Sequence, residues 1–490
     1  MTREQLLVTI AVMAGLAVAA LDTTVVATAM PTIIGQLGGV QRYGWVFSGY
    51  LLAATTTVPL FAKLADVHGR KPVFLVGLGL FVGGSVLCGL SQSINQLIIF
   101  RTLQGLGAGA VQPIALTIVG DLFEPVKRAR VQGAFSSVWG VSAVVGPALG
   151  GVLTATVGWP WVFFVNVPVG AVATWLLVRH FHERVESRRH RLDWAGTLAL
   201  SAGVALLLIA VTEVGANAGW SSPAFVVMLT FAAVTLAAFV RIEQRAVEPV
   251  IDLALISRPT IGASLALQVL AGVLLFGLQS YVPPMVQGIQ GGSALAAGAA
   301  VATMSVGWPL ASIITGRWLV VSTSRPPILV GTACLLTGTL LLTQIARVDS
   351  LPYTMVGSAV VGAGLGFVNT AIMVTLQSSV QWQQRGVVTG LVQFSRTIGG
   401  AVGVGLLGGI LAAAVGPRTG DILDPLRRNE IPADEFARLT QSLSAGLVRI
   451  YLVLVVVAIV AVVVAWRRAP AVDVTATAQP AAEPPVPPPA

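Results

Sequence analysis

The sequence predicts an all-α membrane protein that crosses the bilayer many times, and three observations carry that prediction. Of its 490 residues, 55% are hydrophobic and only 10% charged, whereas soluble chains hold about a quarter charged residues. Apolar runs long enough to span a bilayer recur about fourteen times. Lys and Arg fall unevenly on alternate sides of that ladder. Arg3, Lys63, Arg70, Lys71, Arg128, Arg184, Arg258, Arg325 and Arg467 belong to the richer side, and a smaller set, chiefly Arg418, Arg427, Arg428, Arg438 and Arg449, to the other. The basic side faces the cytoplasm, which places both termini there and requires an even number of spans. The formal charge of +9 is read as topology, and no nucleic-acid partner is expected.

The runs lie near residues 6–29, 44–62, 72–91, 94–120, 131–157, 161–179, 194–213, 223–241, 259–285, 296–318, 327–346, 351–377, 387–416 and 445–466. The first is too long for a secretory signal and continues into a polar bend and a second run, so it reads as a span. Cys88 and Cys334 sit inside apolar runs as packing residues, with no disulfide framework. All four His lie between runs, which leaves no His relay within the bilayer. Residues 417–444 form a charged outer loop in which Pro432–Leu439 reads as a short surface helix.

The chain also repeats itself. Gly105-Leu-Gly-Ala-Gly109 recurs as Gly362-Ala-Gly-Leu-Gly366, and Gly133 recurs as Gly390, both at an offset of 257 residues. One offset shared by consecutive runs implies two homologous halves. The expected division is an N-terminal six-helix bundle at 1–180, two inserted helices with linkers at 181–258, a C-terminal six-helix bundle at 259–468 and a disordered Pro/Ala-rich tail at 469–490. Parallel halves related by an axis along the membrane normal form a transporter architecture, with the binding site between them.

Asp22 is the only acid in the middle of any apolar run. A carboxylate there costs roughly 2.5–3.5 kcal/mol, which marks an ion or proton path by default; the plainer alternative is a fixed counter-ion to a buried Arg. Asp22 and Arg101 each lie seven or eight residues from the outer ends of their runs, roughly 10–12 Å deep at 1.5 Å per residue. They are expected to meet. The repeat maps Asp22 onto Gln279, so the acid is confined to the first half, and proton coupling is expected there.

Ala62-Lys-Leu-Ala-Asp-Val-His-Gly-Arg-Lys71 joins the second and third runs. Asp66 and Gly69 stand where a sharp turn and a helix-dipole partner are useful. With Ala62 in place of its first glycine, this stretch resembles the loop signature of the major facilitator superfamily. Four further stretches are similar to the fourteen-span drug:proton antiporters of that superfamily, the EmrB/QacA type: Leu21–Pro31, Phe100–Gly109, Gly146-Pro-Ala-Leu-Gly-Gly151 and Trp161–Gly170. The resemblance implies a major facilitator fold, a proton-transfer role for Arg101, and export for the stretch holding Gly146, Pro147, Gly150 and Gly151. It also implies a cytoplasmic latch. Asp66 would meet the helix start at Gly386, worth about 0.3–1 kcal/mol if exposed and up to about 2 if partly buried, while Arg70 would pair with Asp121 beside Gly69 and Lys71.

Arg396 is a second cation within an apolar run, and its half offers no acid. Two buried Arg against one Asp favour amphipathic, zwitterionic or weakly acidic substrates over small hard cations. Gln112, Trp139, Gln268, Gln279, Tyr281, Asn369, Gln393 and Phe394 are candidates to line the cavity with Arg396, because apolar walls with sparse polar groups suit loosely selective binding.

No phosphate-binding G-x-x-x-x-G-K-[ST], zinc-binding H-E-x-x-H or nucleophilic G-x-S-x-G occurs. The sequence therefore predicts a non-enzyme without cofactor or ATP, driven by a proton gradient. The leading expectation is a bacterial plasma-membrane multidrug exporter working as a monomer with lipid around it. An exporter of a native lipid, siderophore or metabolite is the alternative within the class, and a non-transporting membrane sensor the alternative outside it.

Overall fold

A computed structural model describes residues 2–123, 138, 141–142, 145–181, 183, 193–210, 222–246, 253–344, 348, 350–380, 385–423 and 430–472. Thr2 opens the first helix. Its hydroxyl accepts from the Gln5 N–H while the Gln5 side chain accepts from the Thr2 N–H, a reciprocal pair that satisfies donors orphaned at a helix start. The principal helices that follow are α1 (Arg3–Leu37), α2 (Tyr43–His68), α3 (Arg70–Gly89), α4 (Ile94–Leu122), α5 (Val145–Thr156), α6 (Trp161–Phe164), α7 (Asn166–His180), α8 (Trp194–Ile209), α9 (Pro223–Glu243), α10 (Leu253–Ile256), α11 (Pro259–Pro284), α12 (Ala294–Trp318), α13 (Arg325–Thr343), α14 (Leu351–Ser378), α15 (Arg385–Ala412) and α16 (Ala433–Arg468). Among the described residues, eleven helical stretches are long and apolar enough to cross a membrane, while α5 and α8 are apolar but shorter.

The repeated glycines have one job in both halves. On α4, a Cβ at Gly105 or Gly109 would stand 2.4 Å from the Tyr50 carbonyl or 2.2 Å from the Thr57 hydroxyl on α2, and one at Gly107 would stand 2.4 Å from Phe81 N on α3. On α14, the same construction at Gly362 and Gly366 meets the Met304 and Trp308 carbonyls of α12 at 2.0 and 2.3 Å, and at Gly364 the Gly331 carbonyl of α13 at 2.7 Å. Without side-chain bulk, two neighbouring helices close on each of these helices.

Among the described residues, hydrogen bonds between the halves gather at one end. Tyr43 donates its hydroxyl to Ser280 O at 2.6 Å and its ring lies 5.4 Å from that of Tyr281, whose own hydroxyl donates within the second half to Val404 O at 3.2 Å. After Pro283 and Pro284, which lack N–H donors, the chain forms a π-turn over Met285–Ile289. Gln287 on that turn donates to Thr28 O at 3.1 Å and accepts from the Thr32 hydroxyl at 3.3 Å. This sealed end also holds Gly298 of α12, where a Cβ would stand 2.3 Å from Pro147 O of α5. Helix α8 packs on α9 and also touches α2 and α15.

The structure corrects two sequence expectations. Pro432–Leu439 is no separate surface helix: α16 starts at Ala433 and runs unbroken to Arg468. Asp434 and Glu435 lie in its first turn, where carboxylates complement the helix dipole, and Glu435 also pairs with Arg418 at 2.5 Å. The tail from Ala469 does not begin disordered. Ser324 donates to Pro470 O at 2.7 Å and Val472 donates to the Ser324 hydroxyl at 3.2 Å. Residues 473–490 lie outside the described residues.

Candidate functional site

Helices α1 and α4 bring Asp22 and Arg101 together in the first half, as their equal depth predicts. Arg101 Nη1 donates to Asp22 Oδ2 at 2.6 Å, and neither side chain is more than 1% exposed. The other carboxylate oxygen, Oδ1, accepts from Gln104 Nε2 at 2.9 Å and Asn166 Nδ2 at 3.2 Å. Asn166 also donates to the Ser85 hydroxyl at 2.9 Å, which in turn donates to Phe163 O at 2.9 Å. Arg101 is held as well, donating to Gln104 Oε1 at 2.6 Å and lying 4.1 Å from the Tyr50 ring centroid. Helices α4 and α7 thus reach the carboxylate of α1 directly, and α2, α3 and α6 hold those partners.

Local sequence explains the placement. Gln104 follows Arg101 by three residues, so both project from one face of α4. Asn166 opens α7 just after α6 ends at Phe164; Pro168 has no N–H to give the Phe164 carbonyl, which loosens the helix there. In a low-dielectric interior this geometry stabilises the ionised carboxylate, and separating the pair leaves an uncompensated charge.

A cavity of about 10 Å³ adjoins the pair, with Thr23, Tyr50, Arg101, Phe276, Gln279 and Ser280 in its wall. This is room for about one water. Gln279 comes from the second half, so the cavity links the ion pair to the boundary between halves.

The second half assembles a different cluster. Arg396 on α15 donates to Asn369 Oδ1 at 3.3 Å and to Gln393 Oε1 at 2.5 Å, and its guanidinium lies 5.5 Å from the Trp308 ring centroid. Gln268 donates to the same Asn369 oxygen at 3.2 Å. Gln268, Asn369, Gln393 and Arg396 are therefore brought together, and Gln279 is placed at the small cavity. Gln112 is half-buried on α4, and Phe394 packs against the main core. Tyr281 is a correction: it is fully buried, its ring 5.4 Å from that of Tyr43, and belongs to the sealed end rather than to the Arg396 cluster. Trp139 lies outside the described residues.

The stretch Gly146–Gly151 packs on α1, where a Cβ at Gly146 or Gly150 would stand 1.9 or 2.2 Å from the hydroxyls of Thr24 or Thr28. Gly151 meets Leu295 of the second half at 2.8 Å by the same construction. In the turn between α2 and α3, Gly69 has φ +93°, a backbone conformation that favours glycine. The side chains of Asp66 and Asp121 and the surroundings of Gly386 lie outside the described residues. Glu183, absent from the sequence expectation, accepts from Arg70 N at 2.6 Å and Lys71 N at 2.9 Å, while Lys71 Nζ donates to Phe181 O at 2.5 Å. Sequence reasoning also missed Tyr50, Ser85, Gln104, Asn166 and Trp308. For Gln104 the one-turn spacing from Arg101 was the available signal, and for Asn166 its isolation in an apolar run.

Such a chain is a multi-pass, all-helical membrane protein with doubled internal packing and a polar pair locked inside it, the architecture of a secondary transporter. The profile describing the Major Facilitator Superfamily matches residues 12–404. The chain belongs to that superfamily of transporters and is not an enzyme. It is 36% identical over 406 residues to the multidrug transporter protein MdtP of Bacillus subtilis, covering 83% of this chain and 75% of that one. It is 31% identical over 435 residues to the drug efflux pump JefA of Mycobacterium tuberculosis, covering 87% and 85%. Among solved structures, a bacterial homologue of the lysosomal transporter Spinster, inward-facing and unoccupied, superposes with a TM-score of 0.66 at 17% identity, covering 96% of this chain and 97% of that one. A D-xylose-proton symporter gives 0.64 at 11%, covering 95% and 98%. At those identities the likeness concerns the fold alone.

Proposed function

We propose that this protein is a proton-driven antiporter that exports small amphipathic compounds across a bacterial plasma membrane by alternating access. The observation that carries the reading is the Asp22–Arg101 pair, buried to 1% and met by two further donors. The multidrug transporter and drug efflux pump among its relatives support the cargo class. The reading takes fourteen spans of the EmrB/QacA type, divided as two six-helix bundles at 1–180 and 259–468 around an inserted pair at 181–258, with both termini cytoplasmic. The functional unit is taken as a monomer, without ATP, metal or cofactor.

On this reading the sealed end is extracellular, and the cycle alternates it with a cytoplasmic closure. Asp66 at the Gly386 helix start and Arg70 with Asp121 form that closure, while Gly69 and Lys71 shape the turn. A proton arriving from outside neutralises Asp22 as it parts from Arg101. Its loss to the cytoplasm restores the pair, and cargo travels the other way.

Purified protein in liposomes with an acidic lumen, offered a panel of fluorescent amphiphiles, is expected to concentrate at least one probe inside. A protonophore should abolish that accumulation. Accumulation that survives collapse of the pH gradient overturns the reading.

A further inference from the structure

We infer that the second half holds an anion-anchoring site, centred on Arg396 with Trp308, Asn369, Gln268 and Gln393, that takes the carboxylate of an amphiphilic substrate. The inference rests on the transport reading and assigns its cargo a charge.

Arg396 has donors left over. A guanidinium carries five N–H donors, yet the protein bonds of Arg396 go only to Asn369 Oδ1 and Gln393 Oε1, and its buried Nε has no partner. Both acceptors are neutral amides, and no carboxylate pairs with Arg396 among the described residues. Arg101 shows the contrast, since its charge is met by Asp22. A cation kept in a membrane interior without a counter-charge points to a partner that arrives from elsewhere.

Close backbone packing supports the cluster. A Cβ at Gly272 would stand 2.0 Å from Arg396 O, so α11 lies directly against the Arg396 backbone, and Gln268 lies one turn before that contact. Gly366 clamps the Trp308 carbonyl at 2.3 Å in the same way. Arg396, Asn369, Gln393 and Trp308 are all half-buried rather than sealed.

A carboxylate offers two acceptors that suit the planar fork of free N–H groups, and the indole beside them is an apolar platform for the rest of the molecule. A cationic probe would meet an uncompensated positive charge. At the repeat offset of 257, Arg396 corresponds to Trp139 and Asn369 to Gln112, so this cation has no counterpart in the first half and the charge preference belongs to the second.

The test uses three probes with one ring and different charges: naphthylacetate, naphthylacetamide and naphthylethylammonium. Equilibrium binding to the purified full-length protein is expected to favour naphthylacetate over the ammonium probe by about tenfold or more. Arg396→Gln should remove that preference while leaving naphthylacetamide affinity within about threefold, and Arg396→Lys should keep part of it. If Arg396→Gln fails to fold, Asn369→Ala provides the second variant, expected to weaken naphthylacetate selectively. No preference in the wild type, or a preference that survives Arg396→Gln, overturns the anion site; so does equal loss for all three probes in whichever variant folds. Gradient-driven accumulation of the fluorescent panel in the same preparation separates the two readings. If it persists while the charge preference fails, only the anion site falls.

Discussion

Gly44 and Gly408 face one another so closely that a methyl group added to either would stand 2.8 Å from the other's Cα. Here α2 of the first half meets α15 of the second, backbone to backbone, beside the Tyr281 hydroxyl. The atoms a new side chain would strike belong largely to backbone, which cannot swing aside. Gly44→Ala should therefore wedge the sealed end apart at a cost of about 1–3 kcal/mol. Spin-label distances across that end should lengthen in the variant. An unchanged distance distribution would show that this contact does not limit opening.

Gln287 holds the same end through two hydrogen bonds to α1. Each is worth roughly 0.5–1.5 kcal/mol, so Gln287→Leu should shift the population toward the open form less than the glycine wedge does. Labelling of a cysteine introduced inside that end is expected to speed up severalfold. Labelling at the wild-type rate would mean that the π-turn is only a connector.

In the proposed mechanism Asn166 and Gln104 position the carboxylate and do not carry the proton. Losing one hydrogen bond to a charged group costs about 1.5–3 kcal/mol. Asn166→Ala, which loses one such bond, should accordingly lower gradient-driven transport by about ten- to a hundredfold, and Gln104→Ala, which loses one to Asp22 and one to Arg101, by at least as much, while gradient-free exchange of labelled for unlabelled substrate persists. Equal loss of both activities would indicate misfolding or substrate contact instead.

Glu183 caps α3 through Arg70 N and Lys71 N. Glu183→Gln keeps one acceptor oxygen, sets an NH2 against the other N–H, and removes the charge that faces Arg70 at 3.9 Å. The expected loss is one hydrogen bond to a charged group, about 1.5–3 kcal/mol, plus a dipole contribution of about 0.3–1 kcal/mol that is larger at low salt. A thermal unfolding midpoint that falls at every salt concentration, and falls furthest in low salt, checks this. A salt-independent difference would mean that the charge has no part in it.

Much of this was legible in the sequence where one physical rule sufficed. Counting 1.5 Å per residue from two run ends placed Asp22 and Arg101 at one depth, and they lie 2.6 Å apart. The glycine repeat announced close helix packing, and Gly69 announced a turn that needs positive φ. Tyr50 and Ser85 left no such trace, because they reach the pair from helices whose rotation is fixed only by packing. Glu183 sits in a charged linker where any of several residues could have reached the turn. Tyr281 looked like a cavity residue because an aromatic with a hydroxyl suits a binding wall, yet backbone carbonyls at the sealed end satisfy that hydroxyl equally well. The short surface helix expected near 432–439 failed for a related reason. A polar turn beside an apolar run gave no sign that the two were one helix.

The central claim is that Asp22 exchanges its partner Arg101 for a proton once per cycle. Its most direct test is proton movement itself, followed with a pH-sensitive dye trapped in proteoliposomes when a transported probe is added without any imposed gradient. Wild-type protein should move protons opposite to the probe. Asp22→Asn, with membrane insertion verified, should move the probe only down its own gradient and shift no protons. Substrate-dependent proton flux of wild-type size in Asp22→Asn would contradict the account.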